Sequence, residues 1–366
     1  MKNKNKQRLL FAVFALLFSV GTMGQAKLNM VVGTYTQHKS KGLYSFSFNQ
    51  RTGRATPLDT LRLDNPSYLT FNKAGNKIYA VSENGGSTSA VCDIDFDRTT
   101  GRMTLRDKQS THGAAPCYVA CRGQLLLTAN YTGGSMSVFT LGNEGNVLPM
   151  TQQEKGHTGK MLVPQQATPH IHCAQFSPDG RRILATDFSA DQLLGFKVKG
   201  TTVEPEGAVA TLSEASGCRH LIWSGDGRFV YVISEVSGAV SVFRYGEGQM
   251  TRLQEIKSDS VGAQGSADIH LSPDGRWLYS SNRLKSDGIS IFRVDRKSGL
   301  LTKVGYQLTG IHPRNFAITP NGKYLLCACR DSNVIQVFAI NKRTGQLTDT
   351  HQDIAVDSPV CIQFHR

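Results

Sequence analysis

The stretch from Gly217 to Glu235, GCRHLIWSGDGRFVYVISE, carries an arginine and a histidine near one end and a glutamate at the other. Two β-rich runs flank the turn Ser224-Gly225-Asp226-Gly227-Arg228, a pattern that reads as a hairpin. A hairpin brings its open ends together, so Arg219 and His220 are expected beside Glu235. Arginine next to a carboxylate combines an anion grip with a proton acceptor. A carboxylate can take up a proton, and a guanidinium can hold a carboxylate or phosphate bidentately. Similar ends recur along the chain: His170 and His172 with Asp187, Asp268 and His270 with Asn282 and Arg283, and Arg314 and Asn315 with Arg330 and Asp331. Three more ends carry little charge: Pro359 with Thr34 and Tyr35, Tyr68 with Glu83 and Asn84, and Tyr118 with Asn130 and Tyr131. Ionisable groups thus crowd four successive hairpins and are sparse in three. That asymmetry marks a site at one end of the hairpins, against the plainer reading that these ends meet solvent.

The hairpins that must position these residues repeat along the chain. They begin at Pro66, Pro116, Pro169, Gly217, Ser266 and Pro313, and a last first-strand match begins at Pro359, with spacings of 46 to 53 residues. Each whole hairpin is followed by an alternating strand such as AVSVFRY or GISIFRV, and several continue through a Ser/Thr-Gly turn into a further short run. Four antiparallel strands at a period near 50 make a β-propeller blade. PVCIQFHR at the C-terminus supplies a first strand alone, while LNMVVGTYT and the runs after it supply the later three. The fold class is therefore all-β: a seven-bladed β-propeller with one blade split between the N- and C-termini, closing the ring and removing exposed sheet edges. The recurring SPDG, GDG and TPNG turns are hairpin punctuation rather than calcium loops. In such blades the first strand lines the channel, so these turns mark one face and the ionisable ends mark the other.

Residues 1–26 follow another plan: the basic MKNKNKQR, the apolar LLFAVFALLFSV, then small residues at Gly24 and Ala26. This is the plan of a secretory signal peptide, and the apolar run is too short to span a bilayer. Residues 27–366 form the propeller, with a periplasmic or secreted location and no membrane association after cleavage. Four basic residues leave with the leader, lowering the formal charge from +13 to +9. No basic run remains, so a nucleic-acid partner is not expected, and a small anionic or sugar substrate accounts for a few placed arginines. Eight cysteines show no CxxC and no zinc spacing, and are expected as buried free thiols. Neither metal nor cofactor is called for, and the oligomeric state is left open.

PHIHCAQFSPDGRRILATDF, GCRHLIWSGDGRFVYVISE, SADIHLSPDGRWLYSSNR and PRNFAITPNGKYLL, with the earlier TANYTGGSMSVF and VVGTYT, resemble the lactonase family of seven-bladed propellers. That family includes the propeller-type 6-phosphogluconolactonases and the fungal 3-carboxy-cis,cis-muconate lactonizing enzyme. The resemblance covers the whole chain after the leader. It implies an active site of His172, with His170 beside it, and Arg219, Glu235 and Arg283. Departures are Cys218 before Arg219, Phe188-Ser189 after Asp187, and Arg330, whose added charge is expected to bear on substrate choice.

The resemblance implies opening of a sugar lactone by an activated water, with Glu235 or His172 as the base and Arg219 and Arg283 holding an anion or the oxyanion. His170, Asn130, Asp187, His270 and Arg314 are expected to contact substrate. The same groups also fit a muconate-type cycloisomerase, and propellers also serve as non-catalytic ligand binders. Mass spectrometry of the exported protein should find its N-terminus within a few residues of Lys27. Recovery of an intact Met1 from the cytoplasm would refute the leader.

Overall fold

Alternating apolar and polar residues between Gly, Asn and Asp turns make short antiparallel strands, and strands make up nearly all of the structure. The computed structural model describes residues 27–246 and 248–365, so the expected signal peptide lies outside the described residues. Seven sheets form, six of four strands and one of five. Blade 1 comprises Leu69–Phe71, Lys77–Ser82, Ala90–Phe96 and Met103–Ser110, and blade 2 Pro116–Arg122, Leu125–Asn130, Ser135–Leu141 and Val147–Lys155. Blade 3 comprises Ile171–Phe176, Arg182–Asp187, Gln192–Lys199 and Thr202–Thr211. Blade 4 comprises Cys218–Trp223, Phe229–Ser234, Ala239–Gly246 and Gln249–Lys257. Blade 5 comprises Ser266–Leu271, Trp277–Asn282, Gly288–Val294 and Leu301–Leu308. Blade 6 comprises Pro313–Ile318, Tyr324–Cys329, Val334–Ile340 and Leu347–Asp349, with the short strand Ile354–Ala355 beside the third.

Blade 7 is split. Its inner strand is Pro359–Phe364, followed by Lys27–Thr34, Gly42–Asn49 and Ala55–Arg62 from the other end of the chain. Met30 lies opposite Phe364 and Val32 opposite Ile362. The turns expected to be structural are so. In blade 4 the Ser224 hydroxyl reaches Asp226 at 2.7 Å and accepts the Phe229 amide at 2.9 Å, while Gly227 takes a φ of 72° that favours glycine.

The core lies between adjacent sheets, where second strands such as Phe229–Ser234 and Tyr324–Cys329 are buried along their whole length. All eight cysteines are free thiols, seven of them buried. Val360, Cys361 and Ile362 of the closing strand are buried as well. Deleting residues 359–366 would expose them and the edge of Lys27–Thr34, at roughly 1.5–3 kcal/mol for each large side chain. The melting temperature of such a truncation should fall by on the order of 10 °C; a truncated protein that melts with the full chain would refute ring closure by this strand.

Candidate active site

The first strands enter their blades irregularly. In blade 4 Cys218 pairs with Ser234 and His220 with Ile233, so Arg219 is an extra residue, a β-bulge. Cys117 in blade 2, Arg314 in blade 6 and Val360 in blade 7 hold the same position. The corresponding irregularity covers His172 and Cys173 in blade 3, and Ala267 and Asp268 in blade 5. A bulge suspends the two-residue alternation of a strand. Neighbours such as Arg219 and His220, or Arg314 and Asn315, therefore both line the channel, together with Cys117, His172 and Val360.

Glu235 follows the second strand of blade 4, its amide anchored on the Gly217 carbonyl at 2.8 Å. Its Oε2 accepts Arg219 Nε at 2.7 Å and lies 3.0 Å from Arg283 Nη2. Both guanidiniums are fixed by blade 5 backbone: Arg219 Nη1 donates to the Ala267 carbonyl at 2.6 Å and Arg283 Nε to Gly265 at 2.7 Å. Arg283 Nη1 also lies 3.2 Å from His312 Nε2. The arginines are almost fully buried, whereas the Glu235 side chain is 24% exposed. Among the described residues no hydrogen bond reaches Oε1, so one carboxylate oxygen stays available to a water or substrate. Burial pushes the Glu235 carboxyl up, but Arg283, Arg219 and Arg314 outweigh it and hold the group below its usual range.

Arg314 centres a second cluster. Its guanidinium lies 5.3 Å from the centre of the Tyr35 ring and 4.0 Å from Glu83 Oε2. The Tyr35 hydroxyl lies 3.0 and 2.9 Å from the two Glu83 oxygens, and Ser67 donates to the same carboxylate. Burial alone would lower the Arg314 pKa, but Tyr35 and Glu83 reverse it, so this arginine stays charged.

Histidines occupy the side towards blade 3. His172 Nδ1 lies 3.7 Å from Cys117 Sγ, and its ring is 5.4 Å from Tyr131 and 5.1 Å from His220. Burial first, then Arg219, His220 and Arg314, hold His172 well below its ordinary pKa, so it is neutral at pH 7. His170 packs on Tyr131 at 4.2 Å and bonds Ser189 Oγ at 2.8 Å. Deeper in the channel, His220 Nδ1 bonds Asp268 Oδ1 at 2.8 Å, and its ring meets the stacked pair Tyr68 and Tyr118 edge-on.

The structure thus gathers Arg219, Glu235, Arg283, His172, His170 and Arg314 around one channel mouth. It places three other expected contacts elsewhere. Asn130 is fully buried inside blade 2, donating to Ser135 and Ser137, and Asn282 is likewise buried in blade 5, accepting from Ser266 and donating to Ser290. Asp187 turns outward and holds His157 at its amide and ring at 3.0 and 2.8 Å. His270 lies farther along the channel, its Nε2 bonded to Asp268 Oδ2 at 2.9 Å, near the turns of the opposite face. Arg330 is forked onto its neighbour Asp331 at 2.6 and 3.0 Å, so its charge is largely spent locally. Glu83, Tyr35, Ser67, Cys117, Tyr131 and His312 enter the site without having been singled out for it. For Glu83 a signal was present: KIYAVSE ends as FVYVISE does. Among the described residues no group of three or more His, Cys, Asp or Glu side chains is arranged to hold a metal ion.

Seven blades surround a channel whose mouth pairs buried arginines with carboxylates. Residues 29–364 match the family described as lactonase, 7-bladed beta-propeller, and the chain belongs to this lactonase family of carboxylic-ester hydrolases. A 6-phosphogluconolactonase of Bacillus subtilis is 31% identical over 343 residues, covering 91% of this chain and 97% of its own. A candidate 6-phosphogluconolactonase of Bacteroides uniformis, solved by crystallography, is 54% identical with a TM-score of 0.91, covering 93% of this chain and 100% of its own. The periplasmic gluconolactonase of Pseudomonas aeruginosa is 34% identical with a TM-score of 0.87, covering 92% and 99%.

The histidines make stability depend on pH. Burial, then Arg219, lowers His220 to about 4, and His172 is lowered further from its ordinary value. Each takes up a proton at about pH 6.5 when unfolded but not when folded, so acidification from about 6.5 to 4 favours the unfolded chain, by up to about 1.4 kcal/mol per pH unit for each. Asp268 is depressed by His270 and His220 despite its burial, so its contribution is lost only below the ordinary carboxylate range. The melting temperature should therefore fall steadily between pH 6.5 and 4.5, and His220→Gln should flatten that fall. A profile level across this interval would show that the histidines are not held neutral.

Proposed function

We propose that this protein hydrolyses a sugar lactone bearing an anionic group, with Glu235 as the general base. The observation that carries this reading is the partly exposed Glu235 carboxylate, one oxygen clamped by two buried arginines and the other without a hydrogen bond among the described residues. A water on Oε1 is placed to attack a lactone carbonyl whose oxygen faces Arg219 and Arg283. The arginines weaken Glu235 as a base but stabilise the tetrahedral oxyanion, the step at which an ester needs most help. His172, held neutral, is the other candidate proton acceptor, yet it is 5% exposed and its Nδ1 faces Cys117.

At the mouth, Arg219, Arg283 and Arg314 face Glu235 and Glu83, leaving positive charge in excess for a phosphate or carboxylate on the substrate. The family's 6-phosphogluconolactonase and gluconolactonase members support a gluconolactone or its 6-phosphate. The lowered pKa of Glu235 suits a base rather than the general acid that a cycloisomerisation would ask of it. The leader and the likeness to a periplasmic gluconolactonase support a role outside the cytoplasm.

In a pH-stat assay on gluconolactone and its 6-phosphate, Glu235→Gln should lower kcat by about 10²–10⁴-fold. Arg314→Ala should raise KM for the phosphorylated lactone more than for the plain one. Arg283→Ala should lower kcat if this arginine holds the oxyanion, or raise KM if it grips the anion. Full activity retained by both Glu235→Gln and His172→Ala would overturn the assignment.

A further inference from the structure

Three blade junctions share a contact on the face opposite the candidate active site. Aromatic residues of a second strand reach across to a backbone carbonyl in the outer turn of the neighbouring blade. Tyr79 donates to the Gly145 carbonyl at 2.6 Å, Tyr279 to Gly345 at 2.9 Å, Tyr324 to Arg51 at 3.1 Å, and the Trp277 indole to Lys342 at 3.1 Å. Blade 4 has aromatic residues at the same positions without the contact. Phe229 stands where Trp277 and Tyr324 stand in blades 5 and 6, and its ring packs at Gly299 with no polar atom to offer. Tyr231 stands where Tyr279 stands, but among the described residues its hydroxyl makes no hydrogen bond.

In place of the missing contact there is a cavity of about 400 Å³ between blades 4 and 5. Ile222, Phe229, Leu271 and Val294 give it an apolar wall, and Tyr231 and His270 give it polar groups. Trp223 lines it too, and the buried Trp223 Nε1 has no hydrogen-bond partner among the described residues. Arg296 stands at its rim with no ion pair among the described residues. The two rim carboxylates, Asp226 and Asp274, are each engaged by their own turn arginines, Arg228 and Arg276, at 2.7 Å. The rim therefore presents one unneutralised cation beside an apolar cleft, and the volume falls within the roughly 300–1,000 Å³ of small-molecule sites.

We propose that this inter-blade cavity, at the opposite face from the arginines of the channel mouth, is a second ligand site that takes a small organic carboxylate with a flat apolar body. The apolar part lies between Ile222 and Leu271, the carboxylate meets Arg296, and Tyr231 supplies a hydrogen bond within the cleft.

The test uses the mature chain with trans-cinnamate as probe and cinnamamide as its uncharged counterpart, followed by isothermal titration and tryptophan emission. Cinnamate should bind saturably with a change in emission, about tenfold more tightly than cinnamamide. Arg296→Ala, an exposed change, should remove that difference and leave cinnamamide unaffected. Ile222→Trp should fill the cleft and abolish binding of both, while Tyr231→Phe should weaken both. Arg283→Ala should leave cinnamate binding intact; loss there would place the probe among the channel arginines and overturn the site. Absence of saturable binding, equal affinity for the two probes, or binding that survives Ile222→Trp would also overturn it. Because binding is read without turnover, its failure is distinct from failure of the lactonase reading.

Discussion

One extra residue at the start of the inner strands sets the geometry of the channel. In an uninterrupted strand successive side chains point to opposite faces, so of Arg219 and His220 only one would face the axis. The bulge admits both, and in blade 6 it admits Arg314 and Asn315 together. The bulges recur around the ring and give the channel mouth a circle of side chains on rigid backbone, in place of mobile loops. In blade 7 the position holds Val360 and in blade 2 Cys117, so the same device carries inert or weakly polar groups where no charge is wanted.

Holding charge inside such a channel is costly unless every group is answered. Asp268 meets much of that requirement. Its carboxylate accepts Asn315 Nδ2 at 2.6 Å and the Phe316 amide at 3.2 Å, and it is bonded by His220 and His270 at 2.8 and 2.9 Å. Asn315 in turn accepts the Ile362 amide at 2.8 Å. One buried acid thus ties blades 4, 5 and 6, and through Asn315 the closing strand of blade 7. The ring closure and the active-site floor are parts of one hydrogen-bonded network. Arg219, anchored on the Ala267 carbonyl, is held by the residue next to Asp268 in the chain.

Much of this was legible in the sequence because hairpin topology converts spacing into proximity. The repeat alone placed Arg219 beside Glu235, and the run of ionisable ends pointed to blades 3 to 6. What alternation does not reveal is direction at a hairpin end, where bulges and short side-chain bonds decide. Asn130 looked like a channel residue by position, but Ser135 and Ser137 lie within reach of its amide and turn it into the blade. Asp187 is drawn outward by His157, a residue from a long loop that the repeat pattern does not cover. Glu83 was passed over because it is a lone acid in a neutral blade, and its partner Arg314 arrives from across the split blade, more than two hundred residues along the chain.

The two glutamates give the mouth a pseudo-symmetry with unequal halves. Glu83 and Glu235 end equivalent strands of blades 1 and 4, and each faces an arginine. Glu83 is enclosed by Tyr35 and Ser67, which occupy its oxygens, whereas Glu235 keeps one oxygen unbonded. A carboxylate whose acceptor sites are filled by neutral donors is a fixture that orients Arg314. A carboxylate clamped on one side only, in contact with solvent, retains a lone pair for a proton. The difference between an acid with both oxygens occupied and one with an oxygen open is therefore set here by who bonds the second oxygen, on two blades built to the same plan.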